Sequence, residues 1–125
     1  MPAYDQNCSP PAPIAFVNWR NAGTSETVAD VPMLLDTGAD LTLVPQSVAD
    51  QLGVSPLPGQ QYELAGFDGV HSWASAVILD LIWFGKAFRG RYLLTEDALG
   101  IIGRDVLNHL NVEFNGPALE WNVRS

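Results

Sequence analysis

Three consecutive residues, Asp36-Thr37-Gly38, place a carboxylate, a hydroxyl and a residue without a side chain directly after the apolar Met33-Leu34-Leu35. A carboxylate at the end of an apolar strand has a fixed backbone behind it and a head that reaches solvent. The glycine lets the chain turn sharply and lie close to whatever binds there. The chemistry open to such a group is proton transfer. Hydrolysing an amide without a metal or a covalent nucleophile takes two carboxyl groups, one to accept a proton from water and one to donate a proton to the carbonyl oxygen. The chain holds one Asp-Thr-Gly, which is half of that pair. A twofold dimer axis is the simplest operator that brings the same residue of a second copy to the same place.

On its own the triplet arises by chance in about one in twenty chains of this length and then marks a surface turn. Its surroundings argue otherwise. It continues as Ala39-Asp40, runs into Leu41-Thr42-Leu43-Val44, and is answered far along the chain by Ile101-Ile102-Gly103-Arg104-Asp105, with Gly66-Phe67-Asp68-Gly69 between the two. This combination resembles the retroviral-type (retropepsin-like) aspartic proteases over roughly 14–123 in element order. It lies closer to the cellular or prokaryotic type, since the Gly66–Gly69 tip is less glycine-rich than viral flaps and the C-terminal hairpin is longer than the viral terminal strand.

The resemblance implies a mostly β, single-lobed, closed β-barrel-like subunit with one or two short helices. It also implies a homodimer whose cleft lies on the twofold axis, an aspartic endopeptidase in which water between the two Asp36 carboxylates attacks a peptide or protein substrate. Asp36 is then the catalytic residue. Thr37 hydrogen-bonds across the pair, and Gly38, Ala39 and Asp40 run beside the bound peptide. Asp40 and Arg104 form a carboxylate–guanidinium pair behind the site, and Gly66, Phe67, Asp68 and Gly69 form the tip of a flap over the substrate. His71 and Trp73, just beyond the tip, either line the cleft or simply pack. The alternative within the same fold is a peptide-binding or dimerisation module that has lost turnover. Intact Asp36, Thr37 and Gly38 speak against it, because two facing carboxylates carry an electrostatic cost that an idle site has no need to bear.

The elements that must position these residues are short strands. Ile14 to Trp19 and Thr27 to Leu35 read as a strand pair around Asn21-Ala22-Gly23, with Pro32 implying an edge or a bulge. Pro45 to Gly53 has a proline near a helix start and a glycine at its stop. Gln61 to Ala65 and Val70 to Leu79 make a long hairpin. A separate pair follows from Leu81 to Phe84 and Arg89 to Leu94, then a helical turn from Arg104 to Leu110. A closing hairpin surrounds Asn115-Gly116-Pro117. Asp105 reads as a helix-start residue, and His109 as a solvated or hydrogen-bonded side chain.

The rest of the chain narrows the partners. At 125 residues and 47% hydrophobic content, one domain is expected, spanning 14–125 behind a flexible Pro-rich leader at 1–13. A net charge of −8 without any cluster of Lys or Arg repels phosphate backbones and anionic lipid, so neither nucleic acid nor membrane is expected as a partner. Cys8 is the lone cysteine, which excludes an intramolecular disulfide and a cysteine-based metal site. No phosphate-cradling loop, dinucleotide fingerprint or metal-type His spacing is present, so no cofactor and no metal are expected. No signal-like or membrane-spanning apolar run is visible, and a cytoplasmic chain is expected.

Overall fold

Alternation of apolar and polar residues sets the strands. In β1 (Ile14–Arg20) Ala15, Val17 and Trp19 are buried while Phe16 is exposed, and in β2 (Thr27–Leu35) Val31, Met33 and Leu35 face the same core. The computed structural model describes residues 2–59, 61–65 and 71–124. Its further elements are β3 (Leu43–Pro45), α1 (Gln46–Leu52), β4 (Gln61–Ala65), β5 (His71–Trp83), β6 (Lys86–Thr95), β7 (Gly100–Ile102), α2 (Arg104–Leu107), β8 (Asn111–Asn115) and β9 (Glu120–Arg124).

Six strands close on themselves in the order β1-β2-β7-β3-β6-β5, and β5 returns to β1 through Asn18↔Ile82, Trp19↔Leu81 and Arg20↔Asp80. The mostly β, closed-barrel architecture expected from the sequence is therefore what the chain forms. Closure leaves the barrel strands no long free edge and encloses Trp19, Met33, Leu79, Leu81 and Ile102, all fully buried. Helix α1 seals one side with Val48, Ala49 and Leu52 and stops at Gly53, whose φ of 65° suits a left-handed cap. No described helix is long and apolar enough to cross a membrane.

The sequence pattern predicts a break at Asp80, but β5 runs unbroken from His71 to Trp83. Its first part pairs with β4 and its second with β6, so one strand serves both hairpin and barrel. An aspartate inside a barrel strand reads as a break because a buried carboxylate is costly unless paired. Here Arg20 Nη2 meets it at 2.8 Å and Arg89 Nε at 2.8 Å. The β5–β6 turn is tight, with Phe84 at φ 50° and Gly85 at φ 70°, and the Phe84 ring rests on Trp83 and Trp121.

Near Pro32, the β1–β2 register slips between Val17 and Trp19, and Asp30, at φ 56°, takes the extra place while its N–H donates to Asn18 Oδ1 at 3.1 Å. This is a bulge that bends the pair. Part of the Pro-rich leader has backbone partners: Tyr4 N–H donates to the Leu119 carbonyl at 2.8 Å, and Pro2 accepts from Trp121 N–H at 3.0 Å, beside β9.

Candidate active site

Strands β2 and β7 run parallel, with Leu34 opposite Ile101 and Leu35 opposite Ile102, so the chain leaves both at the same end of the barrel. Asp36 is the first residue out of β2, and its N–H still donates to the Ile102 carbonyl at 3.0 Å. Its carboxylate turns back over the loop, where Oδ1 accepts the Gly38 N–H at 2.9 Å, and Ala39 N–H donates to the Asp36 carbonyl at 3.2 Å. One backbone N–H thus holds the carboxylate and another the carbonyl of Asp36, while the residue stays partly buried. A Cβ on Gly38 would stand 3.2 Å from Asp36 Oδ1, so a larger residue there would crowd the carboxylate it helps to hold.

The segment after β7 braces this loop from behind. Arg104 donates from Nη1 to the Thr37 carbonyl at 2.6 Å, ion-pairs with Asp40, and donates from its backbone N–H to the Ala39 carbonyl at 2.9 Å. One arginine therefore touches three consecutive parts of the loop, a use that suits the forked guanidinium better than an ammonium. Gly103 permits the approach: a Cβ there would lie 2.7 Å from the Leu41 carbonyl group and 2.9 Å from the Ala39 oxygen.

A second brace lies deeper in the barrel wall, at Thr42. Thr42 is fully buried; its hydroxyl donates to Asp105 Oδ1 at 2.7 Å and accepts the Gly103 N–H at 3.1 Å, while its own N–H donates to Asp105 Oδ2 at 3.1 Å. Asp105 stands in the first turn of α2, as a helix-start residue should, but it makes no side-chain cap there, and its carboxylate holds Thr42. The signal available was a hydroxyl inside the apolar Leu41–Val44 run, which needs a partner if it is buried.

Beside Asp36 lies an open groove of about 430 Å³ lined by Gly38, Ala39, Asp40, Leu41, Leu43, Glu63 and Leu64. A small apolar cluster of Ala74, Ala76 and Leu93, with Leu43, Leu57 and Leu64 against it, forms the structure beneath. Gly38, Ala39 and Asp40 therefore meet strand β4 across one cleft. The tip residues Gly66, Phe67, Asp68 and Gly69 lie outside the described residues, as does the His71 side chain. Trp73 is 64% exposed and does not line the groove. His109 is exposed with its ring beside Phe88, and among the described residues no group of three potential metal ligands occurs.

A family model described as aspartyl protease matches residues 22–106, a span that includes Asp36-Thr37-Gly38 and Gly103-Arg104. The chain belongs to the aspartyl protease family. Among solved structures, the protease of EIAV complexed with the inhibitor HBY-793 superposes with a TM-score of 0.58 at 22% identity, covering 78% of this chain and 86% of that chain. That likeness extends the retroviral protease fold to this aspartyl protease domain. Among curated proteins none matches the chain.

Two titrating groups of this domain lie away from the Asp36 loop. Asp80 is held below the usual carboxylate range, first by the Arg89 hydrogen bond and then, against the opposing effect of its burial, by Arg20. Burial pushes the Tyr92 phenol upward, with the charges of Asp105 and Asp80 acting in the same direction. Neither residue lines the groove beside Asp36.

Proposed function

We propose that this protein is an aspartic endopeptidase that acts as a homodimer, with one Asp36 from each copy. The observation that carries this reading is the Asp36 carboxylate itself, held by the N–H of Gly38, a residue that lines an open groove, in a chain with one Asp-Thr-Gly. Two such carboxylates brought together do not both ionise readily, so the pair holds one proton. The ionised member takes a proton from a water held between them, and the protonated member donates to the carbonyl oxygen of the peptide bond. The oxygen of water bonds to the carbonyl carbon. As the resulting gem-diol collapses, one of its hydroxyls gives its proton to the ionised carboxylate, the C–N bond breaks, and the leaving nitrogen takes the proton of the other carboxyl, so the pair again holds one proton.

In this reading Gly38, Ala39 and Asp40 run beside the extended substrate, and Thr37 bonds across the dimer axis. The Asp40–Arg104 pair keeps the loop in place, and the tip from Gly66 through Phe67 and Asp68 to Gly69 closes over the peptide. Family membership and the fold shared with a protease solved with an inhibitor support it. No metal or cofactor enters the scheme.

The test is sedimentation of the purified chain over a concentration series, with cleavage of a mixed peptide library assayed on the same samples. Activity should rise with the dimer fraction and vanish in Asp36→Asn. Full activity in a monomer, or retained activity in the variant, would remove the composite site.

A further inference from the structure

Building on the homodimeric reading above, we propose that the free edge of β8 is the surface on which a second copy of this chain docks, β8 against β8 in antiparallel register about the twofold axis. Among the described strands, β1, β2, β3, β5, β6 and β7 have neighbours on both sides, while β4, β8 and β9 are paired with a strand on one side only. Strand β4 walls the groove beside Asp36. The outer side of β9 is taken by the chain's own leader, since Ala3 bridges Glu120 and Trp121 N–H donates to the Pro2 carbonyl. Strand β8 is left, five residues without proline, lysine or a bulge, the features that ordinarily keep an edge from pairing.

The β8–β9 ladder fixes which groups face outward. Trp121 turns its N–H to the leader, so it forms a non-hydrogen-bonded pair with Phe114, as Val123 does with Val112. The N–H and C=O of Val112 and Phe114 therefore point away from β9, to the open edge. A twofold axis at Glu113, normal to the ribbon, places Val112 of each copy opposite Phe114 of the other, and each such pair exchanges N–H and C=O. This register pairs the whole five-residue strand, and displaced registers leave part of it unpaired. Phe114, 39% exposed, then meets a valine on the face whose Val112 and Val123 pack on the core. Glu113 faces its own copy. That repulsion is offset within each subunit by Arg124, whose Nε lies 2.9 Å from Glu113 Oε2.

The ribbon is tied to the Asp36 loop along two routes. Pro13 accepts the Leu35 N–H at 3.0 Å, one residue before Asp36. Asp5 and Ala12 exchange backbone hydrogen bonds at 2.7 and 3.2 Å, which fold the leader back so that Tyr4 reaches Leu119. On the other route, Arg104 opens α2 while holding the Thr37 carbonyl, and the chain enters β8 at Asn111. A copy docked on β8 is thus set relative to the Asp36 loop by short, hydrogen-bonded connections. The leader and β8 both lie outside the span 22–106 that the family model matches.

A crosslink at the axis tests this. Residues opposite in a non-hydrogen-bonded antiparallel pair stand about 4.5 Å apart at Cα, within disulfide range. In a Cys8→Ser background, Glu113→Cys treated with glutathione disulfide should run as a covalent dimer on non-reducing gels. Ser47→Cys, exposed on α1, should not. Diluted below the parent's dimer dissociation constant, the crosslinked chain should keep the cleavage rate that the Cys8→Ser parent loses. Separately, Val112→Pro removes an edge N–H that β9 does not use, and should raise the dimer dissociation constant at least about tenfold in sedimentation with its circular dichroism unchanged. Should that variant fail to fold, the crosslink decides. A missing crosslink, equal crosslinking at Ser47→Cys, or a folded Val112→Pro chain that dimerises as tightly as its parent would overturn the proposal. A crosslinked dimer that cuts no peptide leaves this interface standing and removes the peptidase reading. Cleavage that rises with the dimer fraction, without a crosslink at Glu113→Cys, does the reverse.

Discussion

Thr42 and Asp105 are joined twice, hydroxyl to Oδ1 at 2.7 Å and backbone N–H to Oδ2 at 3.1 Å, across 63 positions of sequence. Because Thr42 also accepts the Gly103 N–H, one buried hydroxyl links the loop that carries Asp36 to the segment that carries Arg104. The Asp36 loop is thus fixed by side chains, Thr42 and Asp105, that do not line the groove beside it.

Removing that hydroxyl should be costly. Thr42→Val keeps the shape but leaves the Gly103 N–H and an Asp105 oxygen without their partner, so unfolding in urea should show a loss of about 1–3 kcal/mol. Thr42→Ser should recover most of it. Equal stability of the Val and Ser variants would show that the hydroxyl contributes packing alone.

Close approach at Gly103 makes a second test. Gly103→Ala places a carbon 2.7 Å from the Leu41 carbonyl, contact that backbone must relieve by moving. A destabilisation of about 1–3 kcal/mol is expected, with kcat falling more than KM rises, because the displaced segment holds the Asp36 loop. Unchanged thermal unfolding would contradict the close packing.

At Asp36 itself the two obvious substitutions should part company. Asp36→Asn and Asp36→Ala should both lose peptide hydrolysis, by at least about a thousandfold. Asn retains an oxygen for the Gly38 N–H and Ala does not. Hydrogen exchange at the Gly38 amide should therefore be faster in the Ala variant alone.

Asp80 predicts how stability depends on pH. Its carboxyl is held below the ordinary 3.8, so the folded state prefers the ionised form more than the unfolded chain does. The resulting stabilisation is present above about 3.8 and is lost as pH falls through the lower folded-state value. Asp80→Asn should destabilise the barrel by about 1–3 kcal/mol at neutral pH, since Arg20 and Arg89 are left facing an uncharged group. Denaturant unfolding at neutral pH and near pH 2 should show the gap between wild type and variant narrowing in acid. A constant gap would assign the Asp80 contribution to hydrogen bonds alone.

For the reaction, a pair that shares one proton works only between its two ionisations. The rate should be bell-shaped against pH and centred on the acidic side. Rates that climb steadily toward alkaline pH would exclude the shared-proton scheme.

Local patterns made much of this legible. Ile14 to Trp19 and Thr27 to Leu35 alternate clearly enough to place β1 and β2, and the proline and glycine flanking α1 mark its ends because each tolerates a backbone that other residues resist. The Asp40–Arg104 pair could be expected only through the resemblance, since nothing in a linear pattern says which carboxylate meets which guanidinium 64 positions away. Asp80 is illegible in the same way: a carboxylate between Leu79 and Leu81 has the pattern of a strand end, because the two arginines that pair with it are distant in sequence or on the next strand.

By itself, then, the sequence determined the mostly β class, the strand that delivers Asp36 and the glycine that turns behind it, because side-chain alternation and backbone permissiveness act over a few residues. Tertiary structure decided the barrel closure through β1 and β5, the engagement of the Asp105 carboxylate with Thr42, and the grip of Arg104 on the Asp36 loop. Each depends on which distant segments become neighbours, and that is set by burial of the whole core and satisfaction of its polar groups together.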